Sequence, residues 1–192
     1  VALLVAAPFV YLSTFYASLP ATIPTHFNLK GEADGFGSKS MAFFGPVFIG
    51  IVSLFTYLIM INIKKIDPKR YENNNDAYFK IFGLIIVAFM SALNMVILTK
   101  TKSPNLPIDK LLLPLLGLLF AVMGSFFPKL SQNYFAGFKL PWTLANEENW
   151  KATHIVAGKF WLYGGILQMI LGFVLPGMWS FISFFVIMIP MV

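Results

Sequence analysis

An all-α fold is predicted for this chain: a polytopic membrane protein of about six transmembrane helices in a compact bundle, with one ordered extracellular loop and one cytoplasmic amphipathic helix. Three observations predict it. Hydrophobic residues make up 58% of the 192 and charged residues only 11%, against about half and about a quarter in soluble domains. The mean hydropathy is +0.76. The apolar residues gather into runs close to the ~20 residues that cross a bilayer, and the polar residues collect in the connections between them.

Six runs qualify, roughly Val1–Leu19, Met41–Ile63, Ile81–Thr99, Leu111–Phe127, Gly158–Leu175 and Met178–Met191, of which the first and last are short. The run from Val1 to Ser18 is long for the apolar core of a signal peptide and another span follows it, so it reads as a span. With valine at position 1, a short basic start is expected to have been trimmed. Pro176-Gly177 predicts a tight turn between the last two spans. Lys and Arg number nine in the connections after spans two and four and five in those after spans one and three. This asymmetry places the former pair in the cytoplasm, with both termini inside. The net charge of +6 is read the same way, as basic cytoplasmic loops rather than a nucleic-acid surface. The chain has no cysteine, which removes disulfides, thiolate metal sites and cysteine nucleophiles.

Within the spans, Gly117 and Gly124 lie seven residues apart, as do Gly165 and Gly172. Each pair falls on one helix face, where small residues let helices approach closely. Asn94, with Ser91 three residues before it, is expected to hydrogen-bond to another helix. Beyond Lys159 at the very start of the fifth run, none of the runs contains Asp, Glu, Lys, Arg or His. Ion-coupled transport and intramembrane catalysis need ionisable groups at depth, so this argues against both.

The connection Leu19–Ser40, LPATIPTHFNLKGEADGFGSKS, is turn-rich and holds one of two histidines. Its prolines and glycines predict a shaped loop of turns, with Asp34-Gly35 as one turn and His26 and Asn28 bonded to the loop backbone. His26, Asn28, Gly31, Asp34 and Lys39 are its candidate ligand-binding residues. His26, Glu32 and Asp34 match no metal-ligand spacing, so no metal and no other cofactor is expected.

The second polar segment lies on the cytoplasmic side, between residues 128 and 158. Gly137 and Pro141 break it, Asn146 suits an N-cap, and Glu147 and Glu148 suit the positive end of a helix dipole. Glu147 and Lys151 stand i, i+4, and Trp150, His154 and Trp161 share a face. An amphipathic helix at the membrane surface is expected, with Trp142 and Trp150 among the headgroups. His154 has no nucleophile or acid at recognisable spacing, so binding or structure is preferred to a general-base role.

Two runs of residues carry a family resemblance. Tyr16, Leu19-Pro20, Ile23-Pro24-Thr25-His26-Phe27-Asn28, Gly31, Asp34-Gly35 and Ser38-Lys39 resemble a domain of unknown function of bacterial membrane proteins. Asn133-Tyr134-Phe135, Gly137, Pro141-Trp142-Thr143-Leu144, Glu147, Trp150, Thr153-His154 and Gly158 resemble the hallmark of the SdpI family. The resemblance implies a six-span protein of a bacterial cytoplasmic membrane that confers immunity to a secreted peptide toxin. In one member of that family it also implies a receptor that holds a small helix-turn-helix repressor at the membrane. Asn133, Lys139, Trp142, Thr143, Glu147, Trp150, Thr153 and His154 would then form the partner-binding segment. The chain departs from the family pattern at Ser131, at Phe138-Lys139-Leu140 and at Ile155, where basic groups are missing or shifted, so weaker capture of a regulator is expected.

The organisation read from the sequence is therefore residues 1–63, two helices with the outer loop 19–40, followed by residues 64–192, four helices with the cytoplasmic segment 128–158. The expected function is non-catalytic: binding of an extracellular peptide toxin, with a cytoplasmic repressor as a second partner, the bilayer as surroundings and no direct contact with nucleic acid. The rivals are a membrane enzyme using His26 and the nearby carboxylates, and a transporter of small molecules or lipids.

Overall fold

Residues 1–28, 32–67 and 76–189 are described by a computed structural model. Their elements in chain order are α1 (Ala2–Ser13), β1 (Thr22–Phe27), β2 (Ala33–Ser38), α2 (Phe44–Ile61), α3 (Ile63–Ile66), α4 (Asp76–Lys102), α5 (Asp109–Phe126), α6 (Pro141–Ala145), α7 (Glu147–Val174) and α8 (Gly177–Met188). Among the described residues, four helical stretches are long and apolar enough to cross a membrane: Lys39–Ile61, Ala77–Lys102, Asp109–Lys129 and Glu147–Val174. Ala2–Ser13 and Gly177–Met188 are shorter apolar helices. The six expected spans are thus four full-length helices and two short ones. At 1.5 Å per residue, α4 and α7 each run about 40 Å, longer than the ~30 Å hydrocarbon core, so their ends stand in the polar zones.

Lipid takes the place of water around this bundle, so large apolar side chains point outward as well as inward. Phe44, Phe48, Ile51 and Phe55 on α2 are all more than half exposed. What holds the helices together is close approach. α5 and α7 cross along a seam of glycines: a Cβ on Gly117 would lie 2.5 Å from the Met169 amide nitrogen, and one on Gly158 would lie 2.8 Å from the Gly124 carbonyl oxygen. A Cβ on Gly172 would meet the ring of Pro114, inside α5, at 2.7 Å. The seven-residue glycine spacing therefore does mark the α5–α7 contact face, where van der Waals packing of backbones supplies the attraction that lipid cannot.

Polar groups in the spans find local partners. Ser91 Oγ donates to the Leu4 carbonyl of α1 at 2.6 Å, and buried Gln168 of α7 accepts from Ser183 of α8 at 3.1 Å. Asn94 departs from expectation: it is buried, but its Oδ1 has no hydrogen-bond partner. The Pro176-Gly177 turn forms as expected, with Pro176 capping α8. Lys110 of α5 reaches across and donates to the Phe173 carbonyl at 3.0 Å and to that of Leu175, satisfying the open carbonyls at the end of α7.

Two expectations are corrected. The connection expected on the outer side is a β-hairpin rather than a set of turns, so the α fold carries one small antiparallel sheet among the described residues. Asp34-Gly35 lies inside β2 and not at a turn. Gly35 faces His26 across the sheet, and a Cβ there would stand 2.8 Å from His26 Cβ, so glycine serves room rather than chain reversal. Second, the cytoplasmic amphipathic helix is not a separate surface element. Its residues are the opening turns of α7, which continues unbroken for 28 residues.

Candidate functional site

The segment between α5 and α7 is a knot of side chains bonded to backbone. α5 gives way to a 3-10 turn at Phe127–Lys129, and the chain then runs without regular structure to α6. Backbone groups in such a stretch need partners when buried, and the polar side chains supply them. Asn133 Oδ1 accepts from the Phe135 and Ala136 amides at 2.8 and 2.7 Å, while its Nδ2 donates to the Ser131 and Ala136 carbonyls. Thr143 Oγ1 accepts from the Leu140 amide at 2.9 Å and donates to the Phe138 carbonyl at 2.7 Å. Gln132 Nε2 donates to the Thr143 carbonyl, and Asp67, from beyond α3, accepts from the Tyr134 amide. Asn146 caps α7 as expected, accepting from Glu148 and Asn149.

At the centre stand Trp150 and His154, each 1% exposed and stacked with ring centroids 4.0 Å apart. The indole donates to the Leu130 carbonyl at 2.7 Å. The Phe138 amide donates to His154 Nε2 at 3.0 Å, and a backbone N–H can only donate, so Nε2 carries no proton. The proton then sits on Nδ1 and goes to the Trp150 carbonyl at 2.7 Å. This imidazole is neutral with both nitrogens occupied, and no lone pair remains for general-base work. Phe127 and Phe138 meet its ring edge to face, and half-buried Trp161 packs in turn on both, so the shared face of Trp150, His154 and Trp161 points into an aromatic cluster. Gly137 closes the knot with φ 105, a conformation suited to glycine, and a Cβ there would land on the His154 ring.

Burial corrects the reading of this segment. Trp150 does not lie among headgroups, and Asn133, Thr143, Trp150 and His154 offer no surface to a partner. Thr153 is half-buried, whereas Lys139, Trp142 and Glu147 are exposed. The Glu147–Lys151 pair does not close, whereas His26 and Asp34 do form an ion pair.

That pair sits on the β1–β2 hairpin. His26 Nδ1 and Asp34 Oδ1 are 2.5 Å apart, with the side chains 72% and 45% exposed. His26 is thus tied to a carboxylate and not to the loop backbone. Asn28 and Glu32 close the hairpin tip through three bonds, Asn28 N to Glu32 O, Glu32 N to Asn28 Oδ1 and Asn28 Nδ2 to Glu32 Oε2. Gly31 lies outside the described residues. Lys39 is held at the hairpin's foot, donating to the Ala17 carbonyl at 3.1 Å with its ammonium 4.6 Å from the Tyr16 ring centroid. Ile23 anchors the sheet in a cluster with Leu12, Phe15, Leu19, Ala42 and Leu98.

Two cavities open beside this hairpin. One, of about 610 Å³, lies between β1, the start of α2 and the end of α4, walled largely by apolar side chains such as Phe44, Phe48 and Ile97. The other, of about 680 Å³, lies between the hairpin tip, the 103–108 connection and the start of α8, with Glu32 and Asp109 on its wall. Lys100 and Ile108 line both. Lys100 is 3% exposed and donates to the Pro104 and Leu106 carbonyls, with its ammonium 4.7 Å from the Phe27 ring centroid. Sequence reading passed over Lys100 and Asp109 because each sits at a helix end and looks like a solvated loop charge. Among the described residues, no three His, Cys, Asp or Glu side chains converge as a metal site would need. The chemistry on offer is recognition: two largely apolar clefts side by side, the second carrying more polar groups on its wall.

A helical, multi-pass membrane protein with a hairpin and two cavities at one end and a buried polar knot at the other is the class these features define. Residues 129–192 match the model of the SdpI/YfhL protein family, and residues 3–51 match that of a domain of unknown function, DUF1648. The first match covers the knot, α7 and α8, and the second covers α1, the hairpin and the first turns of α2. No curated protein and no solved structure matches the chain.

Proposed function

We propose that this protein is a membrane immunity-type receptor that takes an extracellular peptide toxin at the two cavities beside its hairpin. The observation that carries the reading is that the 680 Å³ cavity is lined jointly by Asn28, Glu32 and Ala33 of the DUF1648 segment and by Gly177, Met178 and Phe181 of the SdpI/YfhL segment. A ligand seated there touches both. The adjoining apolar cavity suits the hydrophobic side chains of a membrane-active peptide. His26 and Asp34, on the exposed rim, would make polar contacts of the kind that orient rather than anchor. The nine-to-five basic asymmetry supports an extracellular hairpin and a cytoplasmic knot in a bacterial inner membrane. There Lys139, Trp142 and Glu147 would meet a small repressor, positioned by the buried residues beneath them.

The test is protection. Sensitive cells expressing the wild type, Glu32→Ala, Asp109→Ala or Phe27→Ala are challenged with a panel of secreted membrane-active peptides. Survival in the wild type, reduced in the cavity variants at equal membrane abundance, is the expected result. No protection against any peptide of the panel would remove the immunity reading.

A further inference from the structure

We infer that the 680 Å³ cavity selects a basic side chain, lysine or arginine, with Asp109 as the charge that holds it. The inference rests on the receptor reading above and names the part of a peptide that enters this cavity. Asp109 stands half-buried at the first position of α5, and a Cβ on Gly177, the first residue of α8, would lie 3.6 Å from its Oδ2. One carboxylate thus sits at two helix N-termini, whose positive ends favour negative charge. An anionic ligand finds that place taken. The helix ends give the carboxylate no hydrogen bond or ion pair among the described residues, so its lone pairs are left to what enters the cavity it lines.

The other charges on the wall point the same way. Glu32 accepts one bond from Asn28 Nδ2 and keeps its negative charge. Lys100 is the cation on the wall; it is buried, and its ammonium is engaged by the Pro104 and Leu106 carbonyls. Lys110, beside Asp109 in the chain, donates instead to the Phe173 and Leu175 carbonyls. Two carboxylates therefore face one engaged ammonium, and a cleft with an excess of one sign concentrates the opposite charge. The rest of the wall decides what kind of cation fits. Leu106, Ile108, Met178 and Phe181 suit the apolar stem of a lysine or arginine, whose head then reaches the carboxylates. A bare metal ion needs a fuller oxygen shell, and among the described residues no metal-holding group of side chains converges.

The experiment reads the charge of the cavity directly. Because the chain has no cysteine, Met178→Cys places a single thiol on the cavity wall. In phosphatidylcholine nanodiscs, its modification by a trimethylammonium methanethiosulfonate is compared with that by a sulfonate methanethiosulfonate. The ratio of the two rates cancels the thiol's own reactivity, and free 2-mercaptoethanol supplies the reference ratio. At low salt the cavity ratio should exceed the reference by about tenfold and fall severalfold with added salt, with Asp109→Asn or with Glu32→Gln. Lys30, which lies outside the described residues, is replaced in Lys30→Gln, and the preference should persist. A ratio equal to the reference, or one unmoved by Asp109→Asn, would overturn the inference; if that variant does not insert, Glu32→Gln and the salt dependence decide. A second arm identifies the side chain. The hexapeptide acetyl-LKLLKL-amide should slow modification of Met178→Cys, and its acetyl-lysine counterpart should not. Equal slowing by both, or none by the lysine form, would overturn it. Should these results hold while cells gain no protection from any peptide, the immunity reading falls and the cation site stands.

Discussion

At Trp150 and His154 one pair of side chains stands at the centre of the knot, and each closes a backbone group that the irregular chain leaves open. Trp150→Phe keeps the ring in place but strands the Leu130 carbonyl, which should lower stability by about 1–3 kcal/mol. Trp150→Ala also empties a core site and should cost about 3–5 kcal/mol. Thermal unfolding in detergent measures both, and Glu148→Ala, on the exposed first turn, is the control expected to stay at wild type. A Trp150→Ala protein that melts with the wild type while losing a cytoplasmic partner would return the tryptophan to the surface role expected of it from the sequence. The hairpin pair behaves oppositely. His26 and Asp34 are exposed, and an ion pair in water contributes little. His26→Ala and Asp34→Ala should leave the melting midpoint unchanged while reducing peptide protection. Stoichiometric zinc in the purified wild type, lost in His26→Ala, would instead favour an enzyme.

Among the elements, the α5–α7 crossing has the smallest tolerance. A Cβ on Gly165 would stand 2.6 Å from the Gly117 carbonyl oxygen, a contact with backbone that no rotamer can relieve. Gly165→Leu should destabilise by at least the 1–3 kcal/mol typical of overpacking, because the helices must part along the seam. Ile166→Leu, one residue on and facing lipid at 38% exposure, should be neutral in the same detergent melt. The seam was legible in advance because a seven-residue glycine period is a one-helix property. The continuity of α7 was not. Its first turns are polar on their exposed side, which in sequence looks the same as a helix lying on the membrane. The difference lies in what meets the other side, and Leu130, Phe127 and Phe138 arrive there only after the chain has folded back. The hairpin was missed for a like reason: Asp-Gly signals a turn, but the opposing His26 decided where Gly35 would be used.

For the whole molecule, orientation is the open prediction with the sharpest readout. With no native cysteine, Ser38→Cys on the hairpin and Glu148→Cys on the knot, both exposed, can be labelled without background. A membrane-impermeant maleimide on intact spheroplasts should modify the first and spare the second. The reverse pattern would put the cavities on the cytoplasmic side and end the case for an extracellular ligand. Asn74, another natural choice for the inner label, lies outside the described residues. The four described lysines at the hairpin end each sit on a carbonyl or an aromatic ring: Lys39, Lys100, Lys102 and Lys110. They cap the chain locally, which accounts for basic residues on the side that the asymmetry marks as outer.

The sequence by itself determined the membrane class, the number of apolar runs, the tight turn between the last two and the glycine faces, since composition, run length and spacing are local quantities that lipid reads directly. It also marked both polar segments as special. Only the tertiary structure decided what each does. Asn133, Thr143, Trp150 and His154 became internal struts because partners far along the chain or across a turn consumed their hydrogen bonds. The two cavities arose from residues of α2, α4, α5 and α8 that no local pattern connects. Burial and enclosure are properties of pairs distant in sequence, and they appear only when the helices have chosen their neighbours.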